Sequence, residues 1–149
     1  MTEILFYHLE RTALESVLPG LLERSLERGW RAVVQAGSEE RVEALDAHLW
    51  TYSEEGFLPH GTRKDGAAAN QPIWLTAIEE NPNRANVLFL VDGASLGETE
   101  PYQRVVMLFD GQDPDRLAGA REAWAAARAA GHDVTYWKQG ERGRWDRQA

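Results

Sequence analysis

The 149-residue chain carries 24 acidic and 16 basic side chains, a formal charge of −8, and no cysteine. Disulfides, thiol nucleophiles and Cys-ligated metals are thereby excluded, and a broad nucleic-acid surface, which normally needs a basic excess, is disfavoured. This length suits one domain that buries roughly two-thirds of its unfolded surface, and no run reaches the ~20 apolar residues of a membrane span.

MTEILFYHLE has an early acid and no long apolar run, so residues 4–9 read as a first strand and not a signal peptide. The expected location is cytoplasmic. A helix over 12–28 follows, with Leu14, Leu18, Leu21, Leu22 and Leu26 at helical spacing and Gly29 after its end. Pro19 either kinks that helix or marks its true beginning. Residues 30–35 form a second strand, Ser38 is an N-cap candidate, and a helix over 39–49 places Val42, Leu45 and Leu49 inward. The next stretch, LWTYSEEGFLPHG, holds Trp50 and Phe57 in much apolar surface for a loop; it either packs back or offers a partner patch. Residues 62–70 are polar, small and expected to be mobile. Short buried strands are predicted over 73–76, 87–91 and 105–109, with turn chemistry in EENPNRAN, and a last strand over 133–138.

The stretch from Asp113 to His132, DPDRLAGAREAWAAARAAGH, reads as one helix: Asp113 as N-cap, Pro114 at the first helical position, Gly131 beyond the end. At about 100° per residue it has two stripes. Ala120, Ala123, Ala127 and Ala130 allow close approach to a sheet. Leu117, Arg121, Trp124 and Arg128 lie on the other side, with a tryptophan between two arginines. That outer stripe is either an apolar plate flanked by forked cations for a partner's aromatic or carboxylate group, or a tucked tryptophan beneath snorkelling arginines. Strands alternating with helices imply a three-layer α/β/α fold with a largely parallel sheet. Residues 1–140 are expected to form one domain and 141–149 a charged tail, frayed apart from Trp145.

A sheet of this class invites a nucleotide site, but the first strand-to-helix turn, Leu9–Thr12, has no glycine and carries Glu10. No G-x-G-x-x-G or G-x-x-x-x-G-K-[ST] occurs, so the fold is nucleotide-binding-like without a phosphate loop, and no cofactor is expected. Asp92 and Asp110, each before a glycine at a strand end, could serve a nucleotide-handling or hydrolytic enzyme; turn chemistry is the simpler reading. His8, His48, His60 and His132 show no metal-ligand spacing, and His60 reads as a loop packing or capping residue.

FYHL, LDAHLWTY, FLPHG, QPIWL, the VDG and FDG strand ends, AREAW, AGH and YWKQ, in that order, resemble the chi subunit of bacterial DNA polymerase III. The resemblance implies a non-catalytic accessory subunit of the clamp-loader complex. It would bind the acidic, Phe-terminated C-terminal tail of single-stranded DNA-binding protein, contact a psi subunit where one exists, and meet DNA only indirectly, with no membrane involvement. It carries the tail site to Arg121, Trp124 and Arg128, and a second partner surface, for psi or a helicase, to Trp50 and Phe57. Alanines stand at Ala125 and Ala127 where some relatives have basic or aromatic side chains, so Arg116 or Lys138 is expected to supplement the tail site.

Overall fold

The computed structural model describes residues 2–10, 12–53, 57–140 and 144–149. In chain order its elements are β1 (Glu3–Leu9), α1 (Leu14–Glu27), β2 (Ala32–Gln35), α2 (Glu39–Thr51), β3 (Ile73–Thr76), β4 (Val87–Leu90), β5 (Arg104–Asp110), α3 (Pro114–Ala129), β6 (Asp133–Gln139) and β7 (Trp145–Arg147). The strands build a seven-stranded sheet in the order β3-β2-β4-β5-β1-β6-β7. Every pairing is parallel except that of β7 with β6. The α/β architecture expected from the alternating elements is therefore the one observed.

Side-chain alternation divides the sheet into two apolar faces. Leu5 and Leu9 join Val34, Leu75, Phe89 and Val106 beneath α1 and α2. Ile4 and Phe6 join Val33, Leu88 and Met107 on the opposite face, beneath α3 and the 91–102 connection. A parallel sheet covered on both faces needs near-continuous apolar strands, which is why β3 and β4 are buried at every position. The alanine stripe of α3 performs as expected at Ala120 and Ala127, which are 2% and 3% exposed. Ala130 instead caps the helix and is exposed, and Gly131 follows at φ 84°, in the left-handed region that glycine tolerates.

Pro19 neither starts nor breaks α1: the helix begins at Leu14 and continues through it. A proline cannot donate to the carbonyl four residues back, which here belongs to Glu15. That oxygen accepts from His48 Nε2 of α2 at 2.7 Å. The imidazole replaces the missing intrahelical bond and fastens the two helices together.

Two further stretches carry local structure that the sequence did not suggest. Residues 62–70 hold a turn in which the Thr62 N–H donates to Asp65 Oδ2 at 2.9 Å, followed by a short 3-10 turn over Ala68–Asn70. Residues 145–147 pair with residues 137–139 of β6, although only Trp145 of the three is expected to escape fraying, and Trp145 stacks on Tyr7 with centroids 4.7 Å apart. The remaining part of the expected tail, Glu141 to Gly143, lies outside the described residues. Among the described residues no helix is long and apolar enough to cross a membrane.

Replacing His48 by alanine leaves the Glu15 carbonyl without its donor. The expected loss is about 1–3 kcal/mol of unfolding free energy. Urea denaturation should show it, and His48→Gln, which keeps a donor, should recover part of it.

Candidate functional site

The crevice where a doubly wound fold usually takes its ligand lies between the carboxyl ends of β1 and β5, because α1 leaves β1 toward β2 while α3 leaves β5 toward β6. Here that crevice, about 630 Å³, is lined by Glu10, Glu15, Asp92, Asp110 and Asp113, with Arg116 as the one cation among the described lining residues. An acidic lining without a glycine loop repels phosphate. Asp92 adopts φ 50° and accepts from Arg41 Nε at 3.0 Å, and Arg41 also donates to Glu15 at 2.5 Å. The Asp110 carboxylate accepts from the Gln112 N–H, an Asx-type turn. Both aspartates are thus engaged as turn and ion-pair residues, which is the simpler of the two readings for them. Among the described residues no group of three or more His, Asp or Glu is placed to hold a metal ion.

The α3 stripe leads to a different recess, about 360 Å³, lined by His8, Arg121, Trp124, Tyr136, Lys138 and the segment Gln148–Ala149. Trp124 is half-buried. Its ring meets Phe6 edge-on at 5.8 Å and Tyr136 edge-on at 5.6 Å, and the Arg128 guanidinium carbon lies 5.5 Å from its centroid. One edge of the indole therefore belongs to the core, and its remaining surface lines an open recess. Arg121 and Arg128 are exposed. Arg121 lines the recess directly, whereas Arg128 reaches it through the ring.

Sequence spacing along α3 could not reveal the other wall. Parallel pairing of β1 with β6 sets Phe6 beside Tyr136 and His8 beside Lys138. His8 is 6% exposed and donates from Nε2 to Glu10 at 2.5 Å. Its Nδ1 then accepts from the Tyr136 hydroxyl at 2.8 Å, which fixes the phenol ring. Burial pushes the Tyr136 pKa above its ordinary value, with Arg121 opposing, so the phenol stays neutral. Of the two supplementary cations expected, Lys138 lines the recess and Arg116 does not: Arg116 lies against Gly93 on the other side of α3. Ala127 packs on the sheet, so a basic or aromatic side chain has no room there.

The two residues of the second expected surface are exposed neighbours. Trp50 is 55% and Phe57 65% exposed, with centroids 5.8 Å apart. Leu58 beside them is buried. His60 acts as the packing residue expected: Nδ1 donates to the Leu58 carbonyl at 2.6 Å, and Nε2 lies 3.0 Å from Asp46 Oδ1, a close contact without hydrogen-bond alignment.

The structure thus presents a three-layer α/β domain of nucleotide-binding-like architecture, with an acid-lined crevice and an open recess that combines aromatic and cationic groups. Residues 1–135 match the family described as DNA polymerase III chi subunit, HolC, and the chain belongs to that family. It is similar to a Rickettsia prowazekii protein named "Probable DNA polymerase III subunit chi", 28% identical over 109 residues, 73% of this chain and 66% of that relative, just under two thirds of its length. It is also similar to the Pseudomonas aeruginosa protein named "DNA polymerase III subunit chi", 25% identical over 137 residues, 90% of this chain and 94% of that relative.

The crevice network has a pH signature. Burial alone would raise the Glu15 pKa, but its hydrogen bond and ion pair with Arg41 hold it below the usual glutamate value of 4.5. A depressed folded-state pKa contributes stability above the unfolded value, lost as pH falls through the folded one. Arg41→Ala should therefore be less stable than the parent at pH 7, and the gap should narrow below about pH 4.5. Thermal melts across that range measure it.

Proposed function

We propose that the chain is a non-catalytic adaptor of the replicative polymerase's clamp-loader complex. It captures the acidic C-terminal tail of single-stranded DNA-binding protein in the α3 recess and so follows DNA through a partner. The observation that carries this reading is the recess itself: a half-buried Trp124, a fixed Tyr136, and Arg121 and Lys138 on its rim, in a chain of net charge −8. Arginine forks match aspartates and a terminal carboxylate, and the exposed ring surface between them suits a terminal phenylalanine. Two charge-assisted bonds at about 1.5–3 kcal/mol each, with a buried ring, reach the roughly 8 kcal/mol of micromolar binding. Arg128 contributes by holding the indole and adding long-range attraction. A cytoplasmic location follows from this role.

A second contact belongs to the same reading. Exposed Trp50 and Phe57, adjacent on a surface otherwise rich in charge, suit an apolar partner such as psi or a helicase. They sit on α2 and the segment after it, away from α3, so both partners could be held at once.

Calorimetric titration with the C-terminal peptide of the host's single-stranded DNA-binding protein tests the tail site. Micromolar affinity is expected, weakened about tenfold or more by Arg121→Ala or Lys138→Ala, and by added salt. Amidating the peptide's terminal carboxylate should have a similar effect. Asp92→Asn and Asp110→Asn should leave the titration unchanged. Absence of binding by the parent protein would overturn the assignment.

A further inference from the structure

The opposite face of the sheet carries a second aromatic and cationic recess, about 350 Å³, between the last turn of α1 and the strands. Phe89 and Val106 form its apolar floor, and Arg24, Arg28, Arg104 and Trp30 stand around it. The Arg28 guanidinium carbon lies 4.0 Å from the Trp30 centroid and that of Arg104 5.3 Å. Arg24 and Arg28 are exposed, and neither forms an ion pair with another described residue. The helix macrodipole accounts for cations on the last turn of α1. It does not account for Arg104, which arrives from β5 to the same ring. Tyr7 adds a hydroxyl at this recess; burial pushes its pKa up, with Arg104 and Arg24 opposing, so it remains a donor.

The charge balance identifies the kind of ligand. Glu3 accepts from Arg104 at 3.0 Å, and Glu27 stands on the rim, so three arginines face two acids while Arg24 and Arg28 stay outside any ion pair with a described residue. A nucleic-acid strand, with a phosphate at every nucleotide, needs a larger local excess. An apolar floor beneath two uncommitted guanidiniums fits one bulky side chain flanked by carboxylates.

We propose that this recess is a second peptide site, which takes an internal acidic segment of a partner protein with one aromatic or large aliphatic residue beside one or two carboxylates. The ring enters over Phe89 and Val106, the carboxylates bond to Arg24 and Arg28, and Trp30 forms the side wall. The site shares no residue with the α3 recess, so one chain can engage two acidic segments from opposite faces of its sheet.

The test uses a capped peptide, Ac-Asp-Asp-Phe-Asp-Asp-NH2, carrying a fluorescent label and titrated with the full chain. Capping removes the free terminal carboxylate that the α3 recess reads. Saturable binding is expected. It should weaken about tenfold or more in the double variant Arg24→Glu/Arg28→Glu, whose exposed positions leave folding intact by circular dichroism, and stay unchanged in Arg121→Glu. Equal binding by the double variant, or no saturable binding by the parent, overturns the proposal. Loss of binding in Arg121→Glu alone would show that the probe occupies the α3 recess; the second site would fall while the adaptor reading stood. Tighter, Arg24- and Arg28-dependent binding of a short oligo-dT strand would reassign the recess to nucleic acid and likewise overturn the peptide assignment.

Discussion

The placement of β1 between β5 and β6 is the constraint on which the rest depends. Seven residues pair with β5 on one side and six with β6 on the other, all in register. Its alternating side chains then supply both cores: Leu5, Tyr7 and Leu9 toward α1, Ile4, Phe6 and His8 toward α3. Each functional feature rests on one of those positions. Phe6 buttresses Trp124, His8 orients Tyr136, Tyr7 lines the second recess, and Leu9 ends at the acidic crevice. A slip of one residue in this strand would exchange the two faces and dismantle both recesses together.

Electrostatics then separates what the fold can hold from what it does hold. The crevice that related architectures use for phosphates is occupied here by the Glu15–Arg41–Asp92 ion pairs and ringed with acids. Arginines meet tryptophans instead on the two sheet faces, Arg28 and Arg104 at Trp30 and Arg128 at Trp124. In a chain of charge −8, such islands gain contrast: an acidic peptide is repelled from most of the surface and attracted at few points.

Much of this was legible in the residues. Local chemistry placed α3: the Asp113 carboxylate accepts from the N–H groups of Asp115 and Arg116, Pro114 opens the helix, and Gly131 closes it. The parallel sheet followed from short apolar runs between helical patterns. The family match rested on an ordered set of short motifs that span both layers, and those motifs carry the packing residues His8, Trp74 and Trp137. Long-range pairing was illegible. Tyr136 and Lys138 enter the recess because β6 lies beside β1, and nothing within either strand specifies that neighbour. The half-burial of Trp124 depends on the same adjacency. Pro19 looked like a breaker because its compensation comes from His48, an imidazole on another helix. β7 looked like a frayed tail because a three-residue strand has no periodicity to read.

The thin strand β7 also has a dynamic consequence. β1 is flanked by strands on both sides and covered on both faces, so its amides exchange only when the domain opens globally. β7 lies at the sheet edge, where Asp146 and Arg147 are exposed, and is held by three residue pairs, with two main-chain bonds joining Gln148 and Ala149 beyond it to Tyr136. It belongs to the low-stability end of the molecule. Since Gln148 and Ala149 wall the α3 recess, detaching this short segment widens the mouth of the recess while the seven-residue core strand behind it remains closed. The recess thus stands between two walls of unequal local stability, a seven-residue core strand and a three-residue edge strand.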